Sequence, residues 1–256
     1  MKTEILKVKN VHFGEGKPKI CVPIIERNRE SILSYAEKAL DEKPDLLELR
    51  IDWFEGLNNV ETVVSLLGDL RTVIGDTVLL FTTRTDREGG EAVISVEDYE
   101  QLCVRACESG YIDLLDVEAF MAEGLLKRVC EIAHEHKVFV VASNHDFEKT
   151  PEEQEIVRRL IYMDENGADI PKIAVMPEKE RDVLTLLSAT LQYKEHGGVK
   201  PIVTMSMGEL GAISRMTGEC FGSSVTFATT GKASAPGQIA IHEMHSILDV
   251  LHIDRY

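Results

Sequence analysis

The sequence has no run of lysines and arginines, no long apolar segment, no CxxC pair, no Gly-rich phosphate turn and no Ser/Pro-rich linker. Each absence removes a class of protein. With 44 acidic against 28 basic residues the formal net charge is −16, which repels nucleic-acid phosphates and anionic lipid heads unless a local basic patch overrides it. The sequence contains no such patch. The opening MKTEILKVKN carries three charges within seven residues and no stretch suited to a signal peptide, and no later run approaches membrane-spanning length. A soluble, cytoplasmic protein with neither nucleic acid nor membrane as partner is the expectation.

The cysteines Cys21, Cys103, Cys107, Cys130 and Cys220 are odd in number, and four lie in apolar helical or strand contexts. Reduced core residues fit that pattern better than a disulfide framework. Cys103 and Cys107 are four apart on a predicted helix, but no histidine stands at ligand spacing beside them.

What is present is a repeated alternation of short β-branched runs with amphipathic segments. A weakly alternating start, with a Gly14-Glu15-Gly16 turn, predicts a short hairpin that plugs one end of the fold. Strands follow at 19–25, 45–51, 77–83, 112–117, 138–144, 170–176, 201–205 and 225–228. Helices lie between them, with faces marked by Ile32, Leu33, Ala36 and Leu40, by Leu102, Cys103, Ala106 and Cys107, and by Leu184, Leu187 and Leu191. Thr150-Pro151-Glu152-Glu153 reads as a capping box with Thr150 as N-cap, and a last helix is predicted over 238–251.

Eight βα units in 256 residues, 44% of them hydrophobic, predict an α/β fold in which residues 1–256 form a single (β/α)8 TIM-barrel catalytic domain. A doubly wound sheet would need a phosphate-binding glycine turn after its first strand, where VPIIERN stands instead. In such a barrel the chemistry gathers at the C-terminal strand ends.

The run IPKIAVMP, 170–177, places Lys172 on one strand face with Ile170, Ala174 and Met176. An ammonium among apolar neighbours either snorkels from a strand end, is paired, or has a depressed pKa, and a neutral amine can attack a carbonyl. In the second strand Glu48, Arg50 and Asp52 share a face, either a platform for a polar substrate or a structural ion pair. The loop Arg84-Thr85-Asp86-Arg87-Glu88-Gly89-Gly90 is charged and turns sharply. His145 emerges at the end of the fifth strand, where an imidazole can transfer protons or simply be hydrogen-bonded. Arg215, after the seventh strand, can reach a substrate carboxylate, and the small-residue loop 229–238 has the character of a lid or a phosphate loop.

Taken together, ELRID at 48–52, FTTRTDREGG at 81–90, SNHDF at 143–147, PKIAVMP, SMGELGAISR at 206–215 and ASAPGQI at 233–239 resemble the type I 3-dehydroquinate dehydratases. The likeness spans essentially the whole chain. It implies a hydro-lyase of the shikimate pathway and aromatic amino acid biosynthesis that dehydrates 3-dehydroquinate through a lysine Schiff base. By that likeness Lys172 is the imine-forming amine, His145 the general base and acid, and Glu88 the group that orients the histidine. Arg215 is then the partner of the substrate carboxylate, and Glu48, Arg50, Arg84, Ser234 and Gln238 hold its hydroxyls. No metal or organic cofactor is implied, and a homodimer is. Asn144 stands where many members carry an aromatic residue and Val22-Pro23 where others carry a small polar one, departures that bear on pocket shape.

Three other readings compete. A class I aldolase would use Lys172 identically but needs a phosphate site, and the last loop offers only Gly231 and Gly237. A metal-dependent hydrolase would need more histidines at strand ends, whereas His134, His136, His242, His245 and His252 fall in predicted helices. A silent ligand-binding barrel should have lost Lys172 or His145, and both are present. On the favoured reading Lys172 points inward, with Ala174 and Met176 stacked beneath it.

Overall fold

The computed structural model describes residues 3–231 and 233–253. Met1 and Lys2 of the expected leaderless start, and Lys232 of the last loop, lie outside the described residues. The chain opens with an antiparallel hairpin, β1 (Leu6–Val8) and β2 (Val11–Phe13). Five βα units follow: β3 (Lys19–Ile24) and α1 (Arg29–Asp41), β4 (Leu46–Arg50) and α2 (Val60–Ile74), β5 (Val78–Thr82) and α3 (Val96–Glu108), β6 (Leu114–Glu118) and α4 (Leu125–Glu135), β7 (Phe139–Asp146) and α5 (Glu153–Glu165). Next come β8 (Ile170–Val175) with α6 (Glu180–Glu195), and β9 (Val203–Ser206) with the short helices α7 (Ala212–Met216) and α8 (Gly218–Phe221). Strand β10 (Val225–Thr229), the two-residue β11 (Ile239–Ala240) and α9 (Ile241–Val250) complete the described fold.

Strands β3 to β9 pair in parallel in sequence order, and β10 pairs back onto β3. Between β9 and β10 the ring closes through the bridge of Ile202 with Ser223, where the Ser224 amide donates to the Ile202 carbonyl at 2.7 Å. Farther along β10, β11 pairs with Ala228 and Thr229 on the side away from β3. The result is the expected (β/α)8 barrel.

Burial on both faces explains why strands such as Val78–Thr82 are apolar without alternation. Outward residues, among them Leu47, Leu49, Leu79, Phe81 and Ile173, pack under the helices. Inward residues including Leu46, Val78, Leu114, Val141 and Ile170 fill the base, where Val8, Val11 and Phe13 of the hairpin seal it.

The hairpin therefore plugs the barrel as expected, but its turn is Lys9-Asn10, with Lys9 at φ 53°, and not Gly14–Gly16. Thr150 does not cap α5: its hydroxyl donates to the Met176 carbonyl at 2.9 Å, and the helix starts at Glu153 after an extended Glu152. On α6, Leu187 is buried, but Leu184 and Leu191 are 54% and 40% exposed. The inner stripe is Val183, Leu186, Thr190 and Tyr193, which fits helical spacing equally well. The last helix begins at Ile241, because Ile239 and Ala240 are drawn into the sheet beside β10.

Candidate active site

At the C-terminal mouth of the barrel one cavity gathers all nine side chains named from the sequence. Lys172, His145 and Glu88 line it together with Glu48, Arg50, Arg84, Arg215, Ser234 and Gln238. Strand alternation puts Lys172 inside, 4% exposed. Because β8 runs toward the mouth, Ile170 lies below the amine and Ala174 above it, lining the cavity. The expectation that Ala174 and Met176 underlie Lys172 is thus reversed.

Of the fates open to that ammonium, pairing is the observed one. Lys172 Nζ lies 3.2 Å from Asp116 Oδ2 and 4.7 Å from the centroid of the Phe227 ring. Asp116 was not singled out in the sequence. It is fully buried, and its Oδ1 accepts from Arg84 Nη2 at 2.7 Å and Ser143 Oγ at 2.6 Å. Burial alone would raise its pKa, but Arg84, Lys172 and Ser143 together hold the carboxyl below its ordinary value. Glu118, two residues on, accepts from the Thr85 amide at 2.8 Å and the Thr85 hydroxyl at 2.7 Å. The signal for both was an L-x-D-x-E alternation on a buried parallel strand, of the same kind as Glu48 and Arg50.

Arg84 is the hub of this layer, with Nη1 3.2 Å from Glu118, 3.5 Å from Glu88 and 2.9 Å from Ser143 Oγ. Burial works against its charge, yet the carboxylates of Asp116, Glu118 and Glu88 keep it a cation. Glu88 sits on a single 3-10 turn, 86–88, that Gly89 ends in the left-handed region at φ 77°. A Cβ at Gly89 would strike the Phe147 ring, and one at Gly90 the Arg84 carbonyl, so the double glycine is required by packing.

Glu88 Oε2 meets His145 twice, through the backbone amide at 2.9 Å and Nδ1 at 2.8 Å. Burial pushes Glu88 up to about 7, with Arg84 opposing. Burial also drives the His145 imidazole well below its usual value, and the cations of Arg84, Lys172 and Arg50 add to that. A neutral ring whose Nδ1–H donates to Glu88 leaves Nε2 as the basic atom.

Around this centre the remaining groups divide by engagement. Arg50 is held by Asp52 through two contacts of 2.8 Å, and Glu48 accepts from Thr82 Oγ1 at 2.8 Å. So Glu48 and Arg50 face the cavity while Asp52 is the structural ion partner. Arg215 is 3% exposed, its Nη2 donates to the Pro236 carbonyl at 2.9 Å, and its Nε is buried without a partner among the described residues. Burial alone lowers it to about 10. Ser234 and Gln238 close a reciprocal pair, the Ser234 amide donating to Oε1 and Nε2 donating to Ser234 Oγ, both at 2.9 Å. Pro236 O also accepts from the Gly208 amide at 3.2 Å, which ties this loop to the one carrying Arg215. Neither Asn144 nor Pro23 lines the cavity.

The family model for type I 3-dehydroquinase matches residues 20–255. The chain is 48% identical to the 3-dehydroquinate dehydratase of Clostridioides difficile (strain 630), covering 96% of this chain and 97% of that one. It is also 48% identical to the Listeria monocytogenes serotype 4a enzyme of the same name, with the same coverage. Among solved structures, type I 3-dehydroquinate dehydratase from Clostridium difficile with covalently modified comenic acid superposes with a TM-score of 0.94. That pair is 47% identical, covering 97% of this chain and 98% of the other. The Geobacillus kaustophilus 3-dehydroquinate dehydratase gives 0.94 at 38% identity, over 97% and 96%. The chain belongs to the type I 3-dehydroquinase family of hydro-lyases.

Proposed function

We propose that this chain dehydrates 3-dehydroquinate to 3-dehydroshikimate through an imine on Lys172. The observation that carries the reading is a buried lysine, a Glu-oriented neutral histidine and a guanidinium with no carboxylate partner among the described residues, all lining one cavity. Lys172 Nζ adds to the C3 ketone, and loss of water gives an iminium that draws electron density from C2. His145 Nε2 takes a C2 proton, and the resulting imidazolium returns it to the departing C1 hydroxyl. Hydrolysis of the conjugated iminium releases the enone and restores the amine, so the net change is loss of one water.

Arg215 suits the substrate carboxylate, because a buried guanidinium without an anion is under-stabilised until one binds. Glu48, Arg50, Arg84, Ser234 and Gln238 offer the donors and acceptors that a polyhydroxy ring requires. A homodimer and a cytoplasmic location belong to the same proposal.

Borohydride added during turnover of 3-dehydroquinate tests it. The expected result is a reduced adduct on Lys172 in peptide mass mapping, absent from Lys172→Ala. Turnover with Lys172 unmodified would falsify the imine route. His145→Ala should keep adduct formation while slowing dehydration by about 10²- to 10⁴-fold.

A further inference from the structure

Asn144 is not among the residues that line the active-site cavity, and yet it touches Glu88 from behind. Strand alternation turns it outward, toward α5, while its neighbour His145 faces in. Arg159 Nη1 lies 2.8 Å from Asn144 Oδ1, and Asn144 Nδ2 lies 2.9 Å from Glu88 Oε1. We propose that Arg159 and Asn144 act as a positioning pair: the guanidinium fixes the Asn144 amide so that its NH2 faces Glu88 and keeps Glu88 a hydrogen-bond acceptor toward His145.

The argument is one of donor inventory. A guanidinium only donates, so the Asn144 atom beside it must be the carbonyl oxygen, and the amide cannot turn round without losing that bond. The NH2 then presented to Glu88 also only donates. Oε2 already receives the His145 amide and Nδ1. Both carboxylate oxygens therefore face donors, an arrangement that a proton on either oxygen would oppose. Without Arg159 the amide is free to flip, and its oxygen would then accept a proton from Glu88 and stabilise the acid form. The same residue would thus act in the opposite sense.

The other charges that act on the pair come from the barrel side and from α5. On the barrel side Glu88 and His145 face Arg84 from the β5 loop, Asp116 and Glu118 from β6, Lys172 from β8 and Arg50 from β4. From α5 the charge comes through Arg159, whose Nε donates to Glu155 at 2.7 Å while Glu155 also takes Arg158. Asn144 supports the ionised form of Glu88 against its burial.

The inference rests on the proposed dehydration. Its test reads the kcat–pH profile and, independently of activity, the ¹⁵N imidazole shifts of His145 in the ligand-free protein. In Asn144→Leu and Arg159→Met the acid limb of kcat should move up by about one pH unit, the worth of one hydrogen bond to a charged group, with KM unmoved. The double variant should shift no further than Asn144→Leu alone. Arg159→Lys, which keeps a donor to Oδ1, should restore the wild-type limb. The His145 Nδ1 signal should lose its donor character at a correspondingly higher pH. Superimposable imidazole titrations in wild type and both single variants overturn the pair. If wild type fails to dehydrate 3-dehydroquinate, the functional reading falls while the imidazole titration still decides this one.

Discussion

Glu88 and His145 share a 2.8 Å hydrogen bond, and burial pushes both toward their uncharged forms. On acidification Glu88 takes the first proton, at about pH 7, and the imidazole loses the acceptor that fixes its tautomer. Activity should accordingly rise with pH through about 7. Stability responds in the other sense. A carboxyl whose folded pKa is raised contributes fully below its unfolded value, about 4.3, and loses that contribution as pH rises through the folded one. Between about pH 5 and about pH 8 wild type should therefore lose stability relative to Glu88→Gln, by about 3 kcal/mol for a shift of this size, whatever fixed cost the amide brings among the donors around it. Denaturant melts at both pH values, beside kcat for the variant, separate the two effects. A gap between the two proteins that stays the same at both pH values would show that the buried charge carries no folding cost.

At the scale of the element, α6 divides cleanly between two apolar stripes. Leu186 is fully buried against the barrel, and Leu184 is more than half exposed. Leu186→Ala should cost about 2–5 kcal/mol, whereas Leu184→Lys should stay within about 0.5 kcal/mol, both read from denaturant midpoints. The stripe chosen from the sequence was the outer one, since leucines stand at helical spacing on both sides and only the sheet decides between them. The same limit governs Thr150, whose hydroxyl goes to a carbonyl on the next loop, and Lys9, which takes a left-handed turn that local sequence does not demand. The strands were legible because doubly buried runs have a composition of their own, and the cavity positions of Lys172 and His145 because strand alternation turns them inward, whereas Glu88 was singled out by the family resemblance. Asp116 and Glu118 were missed because an inward acidic alternation acquires meaning only once Arg84 and Lys172 are brought opposite it.

For the whole molecule, the two ends of the barrel carry separate tasks. The mouth concentrates buried charge, Arg84, Glu88, Asp116, Lys172 and Arg215 among them, each partly desolvated. Such a layer is poor at holding a fold together, since desolvation offsets much of what ion pairing returns. The base compensates with a dry plug: Val8, Val11 and Phe13 of the hairpin meet Leu46, Val78 and Val141 in one apolar cluster. Phe13 is wholly buried there, in the same apolar cluster as Ile170. Removing its ring opens a cavity at the base and leaves the mouth untouched. Phe13→Ala should cost about 3–5 kcal/mol in denaturant melts, while KM and the Lys172 adduct remain those of wild type at a temperature where the variant is folded. A raised KM together with the stability loss would mean that packing at the base is transmitted up the strands to the cavity, and the division of labour between the two ends would have to be given up.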